Sequence, residues 1–209
     1  MEQKRTLYVL GDSIAYHYGP YLRRLLDETF EIRTKEGDRE AGINLDRPAG
    51  ANGGDSGRVL AFLQEQAGGS NSPLGVDYML LNCGLHDIKR DPETMEPLVE
   101  LEDYKANLDH IFTLIGQVGI QAVWVHSTPV PDERHNVLVT EFKRYNQDIV
   151  RYNAAAKEAA EQYRIPQLDL YSFSCRLGGA AYCDHIHYTE EARYLQASYI
   201  AGFVSGVLA

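Results

Sequence analysis

The sequence predicts an α/β fold in which a parallel sheet is covered by helices on both faces. Three observations carry this. Short apolar runs alternate with longer stretches of helical period, and the runs are followed by glycine or polar residues. The chain has 209 residues, 44% of them hydrophobic and 24% charged, which is enough to bury one good core. One domain spanning residues 1–209 is therefore expected.

The elements follow in order. Residues 7–10 (Leu-Tyr-Val-Leu) end in Gly11, and residues 78–81 and 122–125 are similar runs, all of the kind that forms buried parallel strands. Residues 30–33 and 165–170 are weaker strand candidates. Gly19-Pro20 reads as the start of regular helix after the first strand. Tyr104, Leu108, Ile111, Phe112 and Ile115 share one helical face, and so do Phe142, Tyr145, Ile149, Tyr152, Ala156, Ala159 and Tyr163. In the last helix Leu195, Tyr199, Phe203 and Val207 recur every four residues, with Thr189 as N-cap and Glu190 and Glu191 suited to the first-turn dipole. Such a fold has right-handed crossovers and binds ligands at the carboxyl ends of its strands. Attention falls on the loops at residues 11–19, 37–57, 82–97 and 175–188.

Acidic residues outnumber basic ones 30 to 20, a formal charge of -10 that disfavours nucleic acid and anionic lipid as partners. No run reaches the roughly 20 apolar residues of a membrane-spanning helix. The start, Met1 to Arg5, leads directly into the first apolar run with no visible signal peptide, so the cytoplasm is the default compartment and secretion stays open. Cys83, Cys175 and Cys183 have neither CxxC nor zinc spacing, and only Cys175 and Cys183 are close enough in sequence to invite a short-loop pairing.

Gly11-Asp12-Ser13 directly follows the first strand, so its hydroxyl should emerge at the functional edge; a plain strand-end turn would use the same residues. A second copy, Gly54-Asp55-Ser56, follows a loop. There Gly53-Gly54 allows close approach of a backbone N–H to a ligand, while Asp55 or Ser56 could cap a helix. Asp184-His185-Ile186-His187 sets a carboxylate three residues before an imidazole, the pair that takes a proton from a serine and steadies the resulting charge; a surface turn with solvated histidines is the alternative.

Together these segments resemble the SGNH or GDSL hydrolases nearly end to end. Gly11-Asp12-Ser13 is similar to the first block of that family, Gly54 with Asp55-Ser56 to the second, Gly84-Leu85-His86-Asp87 to the third and Asp184-His185-Ile186-His187 to the fifth. Thr128-Pro129, and Tyr152-Asn153 ahead of Gln167-Leu168-Asp169-Leu170, also resemble recurrent features. The resemblance implies a three-layer α/β/α sandwich around a flavodoxin-like five-stranded parallel sheet, and an esterase or acylhydrolase needing no metal or organic cofactor. It implies Ser13 as nucleophile, His187 and Asp184 as its partners, and the N–H groups of Ser13 and Gly54 as oxyanion donors. Asp12 and Tyr188, beside these segments, are expected to contact substrate.

One departure matters. The third block of the family carries asparagine as a side-chain oxyanion donor, and here that position is His86, whose ring N–H can also donate. Asn82, two residues before Gly84, is the lesser substitute. The expected substrates are small acyl esters, acetyl foremost, with carbohydrate as a candidate alcohol, because Tyr16, Tyr18, Tyr21, Tyr182 and Tyr188 flank the key segments and no long apolar segment offers a lipid lid. A lipase- or thioesterase-like acylhydrolase is the alternative among esterases. Two readings compete from other classes: a metal-dependent hydrolase using Asp12, His86, Asp87, His126, Asp184, His185 and His187, and a non-catalytic binding module on the same fold. Oligomeric state is not legible.

Overall fold

The structure, a computed structural model, describes residues 4–68 and 75–208. Met1, Glu2, Gln3 and Ala209, at the ends of the expected domain, lie outside the described residues. Five strands form one sheet in the order β2-β1-β3-β4-β5. They are β1 (Arg5–Leu10), β2 (Phe30–Thr34), β3 (Tyr78–Leu81), β4 (Gln121–Val125) and β5 (Gln167–Leu168), and every pairing is parallel. Leu10 lies beside Leu81 and Leu81 beside Trp124. Both faces of β3 are buried, which explains an apolar run without alternation.

Helices cover the two faces. On one, α1 (Ser13–Leu26) packs on α8 (Glu190–Leu208), which also contacts α7 (Leu170–Leu177). On the other, α4 (Leu101–Gln117) lies between α3 (Ser56–Gly68) and α6 (Asn146–Gln162). The short α2 (Asp38–Ile43) and α5 (Asp132–Leu138) belong to the connections. The expected α/β/α sandwich with its five-stranded parallel sheet is what the chain forms. Chain order reverses between β1 and β3, and this switch point is where such sheets bind ligands.

Three boundaries and one buried face differ from expectation. Helix α1 starts at Ser13, not after Pro20, because Asp12 caps it: its Oδ1 accepts the Ile14 N–H at 2.9 Å. Burial of Ile14, Tyr18, Leu22 and Leu26 outweighs the one backbone bond that Pro20 forgoes inside the helix. The second periodic stretch becomes helix only at Asn146, since Lys143 is extended and exchanges backbone hydrogen bonds of 2.8 and 2.9 Å with Arg90. Strand β5 shrinks to two residues because Asp169 accepts the Ser172 N–H and starts α7. In α8 the buried face is Ala192, Gln196, Ala197, Ile200, Val204 and Leu208, while Leu195 and Val207 are 39% and 43% exposed. A polar residue conceals the true face in sequence, for the Gln196 amide turns inward and donates to Ser174 Oγ at 3.0 Å.

Candidate active site

The loops after β1 and β3 and the segment before α8 meet at the carboxyl edge of the sheet. Beginning a helix at Ser13 fixes its side chain at the switch point. It also leaves the Ser13 N–H among the first-turn donors that have no intrahelical acceptor. The Ser13 hydroxyl donates toward His187 Nε2 at 2.9 Å, and His187 Nδ1 lies 2.8 Å from Asp184 Oδ2. The other Asp184 oxygen accepts the N–H groups of Ile186 and His187 at 2.8 and 2.7 Å, so the turn that carries the imidazole is tied to the carboxylate that orients it. Burial alone would raise the Asp184 carboxyl. The hydrogen bond and charge of His187, with the two N–H groups, overcome this and hold it well below the usual carboxylate range. Ser13 and His187 are both buried.

Glycines shape the neighbouring loops. Gly54 has φ +78°, a left-handed conformation, and a Cβ there would sit 2.7 Å from Pro48. Its N–H donates to Asn52 Oδ1 at 3.1 Å, so this donor is engaged by the chain itself. Gly84, at φ +145°, lets the third loop lie against Ser127, whose Oγ would be 2.7 Å from a Cβ. Asn153 in α6 then clamps that neighbour: it accepts the Ser127 N–H and donates to the Ser127 carbonyl, both at 2.9 Å.

His86, in the third loop, is buried, and neither ring nitrogen has a partner among the described residues. Burial, then the charges of Lys89 and Arg144, hold its imidazole well below the usual range, so it stays neutral with one N–H to give. Asp87 next to it is buried and accepts the Ser56 N–H at 2.8 Å, joining the third loop to the start of α3. Burial pushes the Asp87 carboxyl up to about 7.

Several residues singled out in the sequence have partners within the chain. Asp12 is fully buried and caps α1 through Oδ1. Tyr188 is packed beneath the surface, its ring stacked on Tyr182 at 4.7 Å, and Tyr18 is core. Asn82 is no spare donor: its amide nitrogen already serves the Val125 carbonyl at 2.9 Å and Ser127 Oγ at 3.1 Å. Cys83, Cys175 and Cys183 are all free thiols, so Cys175 and Cys183 are not bridged.

Other residues around the site had no signal in the sequence. Asp46 receives His185 Nε2 at 3.0 Å and Arg144 Nη1 at 3.4 Å. Arg144 is 2% exposed and donates through Nε to the Leu85 carbonyl at 2.8 Å, which braces the turn bearing His86. Lys89 lies over the Phe142 ring at 4.4 Å and donates to the Asp46 carbonyl. On the other side of His187, the His17 ring meets it edge-on at 5.2 Å. His17 also lines a cleft of about 460 Å³ with Tyr16, Tyr21, Asp38 and Arg193.

Of the seven groups open to a metal, donor atoms of Asp184, His185 and His187 lie within 4.8 Å of one another. Each of those residues is committed within the chain: Asp184 and His187 to one another, His187 also to Ser13, and His185 to Asp46 and His135. His126 is elsewhere, bound to Gln167 at 3.0 Å.

The fold and this hydrogen-bonded row define a class, an α/β protein with a serine hydroxyl held against an oriented imidazole at the carboxyl edge of a parallel sheet. The chain belongs to the GDSL-like lipase/acylhydrolase family, whose model matches residues 9–193, and it is a carboxylic ester hydrolase. Solved structures agree on the fold. A lipase/acylhydrolase from Enterococcus faecalis is 16% identical with a TM-score of 0.69, over 97% of this chain and 96% of that one. A carbohydrate acetylesterase from Sinorhizobium meliloti is 17% identical with a TM-score of 0.60, over 98% and 100%. An aryl esterase from M. smegmatis is 16% identical with a TM-score of 0.62, over 97% and 99%. No curated protein matches the chain. No helix of the described residues is long and apolar enough to cross a membrane.

Proposed function

We propose that the protein hydrolyses small acyl esters, acetyl esters foremost, by attack of Ser13 on the acyl carbon. The observation that carries the reading is the row Ser13 Oγ, His187 Nε2, His187 Nδ1, Asp184 Oδ2, with separations of 2.9 and 2.8 Å at its two contacts. Asp184 accepts the Nδ1 proton and so leaves the Nε2 lone pair facing the hydroxyl. As Ser13 Oγ bonds to the carbonyl carbon, its proton passes to Nε2, and the carbonyl electrons move onto oxygen. When the tetrahedral intermediate collapses, His187 gives that proton to the departing alcohol. Water then repeats the sequence on the acyl-serine and releases the acid.

The developing oxyanion is met by the Ser13 N–H at the start of α1, where the helix dipole also favours negative charge, and by a ring N–H of neutral His86. The Gly54 N–H joins them on exchanging its bond to Asn52. The sugar-ester reading gains support from the cleft beside His17, which has Tyr16 and Tyr21 in its wall, and from the similarity to a carbohydrate acetylesterase.

The test is p-nitrophenyl acetate hydrolysis by wild type and Ser13→Ala, each with and without EDTA, after both are found folded. Serine-dependent, chelator-resistant turnover is expected. Activity that survives the substitution but not EDTA would give the site to a metal. A series of p-nitrophenyl esters should fall in rate toward long acyl chains; a steady rise would make the enzyme a lipase.

A further inference from the structure

We infer that the cleft beside His17 receives the alcohol part of the ester, and that Arg193 in its wall binds an anionic group, carboxylate or phosphate, on that alcohol. The inference rests on the serine-hydrolase reading above. The direction of proton transfer sets the side: His187 returns its proton to the departing oxygen, so the alcohol leaves past this imidazole. His17 touches the same imidazole edge-on, with ring centroids 5.2 Å apart, and is itself part of the cleft wall. A volume of about 460 Å³ suits a group of sugar or aryl size, since small-molecule sites span roughly 300–1,000 Å³.

Arg193 supplies the charge. It stands in the first turn of α8 and is partly buried. Its Nε donates to the Tyr188 carbonyl at 2.7 Å and its Nη2 to Cys183 Sγ at 3.7 Å, so the guanidinium is held in place before any ligand arrives. Among the described residues no carboxylate lies within ion-pair distance of it, in a chain where acidic residues outnumber basic ones 30 to 20. A fixed guanidinium facing a cavity without a counter-ion is suited to bidentate capture of an oxyanion. Arg23 and Arg24 also line the cleft, and Asp38 is the one acidic residue among its described walls. Arg23 and Arg24 are exposed, so salt screens them more than Arg193. His17 adds no charge, because burial and then the neighbouring Arg193 hold its imidazole down at about 3.

The experiment compares three acetyl esters of matched size: meta-acetoxybenzoate, meta-acetoxyphenyl phosphate and the neutral methyl meta-acetoxybenzoate, with wild type, R193A and R193K. For wild type, kcat/KM with at least one anionic ester should exceed that of the neutral ester by about tenfold, chiefly through KM, as one charge-assisted contact provides. The better of the two anions identifies the group as carboxylate or phosphate. The ratio should collapse toward one in R193A and be partly retained in R193K. A wild-type ratio at or below one for both anions, or a ratio unchanged in R193A, overturns the inference. Should R193A fail to fold, wild type decides alone: the anionic preference must shrink as ionic strength rises, and a salt-independent preference overturns it. Failure of the underlying reading is separate, since it would show as neutral-ester hydrolysis surviving Ser13→Ala.

Discussion

At the scale of single residues, His86 is the most informative position. Its two unpartnered, buried nitrogens cost stability unless a ligand atom uses one of them. His86→Ala should therefore lower kcat by roughly 10²-fold or more with little change in KM, while His86→Asn, which restores the donor typical of the family, should recover part of the loss. An unchanged kcat in His86→Ala would leave a hole made of backbone donors alone. His185 is the comparison: it contacts Asp46 and His135 but neither Ser13 nor Asp184 by hydrogen bond. Its replacement by alanine should cost less than about tenfold, against the loss of roughly 10⁴ that removing a triad partner can bring. Steady-state kinetics on p-nitrophenyl acetate measures both. That Ser13, Asp184 and His187 come together was legible in the sequence because their order along the chain is distinctive. That Asp12 would spend an oxygen on capping α1 and that Tyr188 would stack on Tyr182 was not legible, because residue identity does not reveal which way a side chain faces. Arg144 was invisible for another reason: it falls in a stretch with helical periodicity, and only the extended backbone at Lys143 shows that it reaches under Leu85.

At the scale of elements, Asp87 is the link between the third loop and α3, and it makes the pH dependence of stability predictable. Burial raises its carboxyl to about 7 in the folded protein, against about 3.9 when unfolded. The folded state therefore binds the extra proton between these values, and its contribution is full below about pH 4 and lost as pH rises through about 7. Asp87→Asn keeps an acceptor for Ser56 without that titration. Relative to wild type it should gain roughly 2–4 kcal/mol between pH 4 and pH 8, read from urea midpoints at the two pH values. A difference that does not vary with pH would mean that Asp87 stays ionised. The strands in the sheet centre were readable because both of their faces are apolar. The last helix was harder, for Gln196 spends its amide on Ser174 within the core and breaks the apolar stripe that marks a buried face.

At the scale of the whole molecule, the sole tryptophan is a built-in probe. Trp124 lies in β4, is 1% exposed, and has Phe112 edge-on at 5.5 Å. Its emission should be blue-shifted in the native state, and its urea transition should coincide with that of far-ultraviolet circular dichroism if sheet and helices melt together. A fluorescence change that precedes the loss of helix would show that the layers separate first. The hydrogen bond between Ser13 and His187 also ties the two ends of the fold together. These residues are 174 positions apart, one at the first strand and the other just before the last helix. Chain growth runs from the first toward the second, so all five strands of the sheet have been synthesised before the serine meets its imidazole. A chain that ends before residue 187 therefore presents the Ser13 hydroxyl without the imidazole it is hydrogen-bonded to in the folded protein.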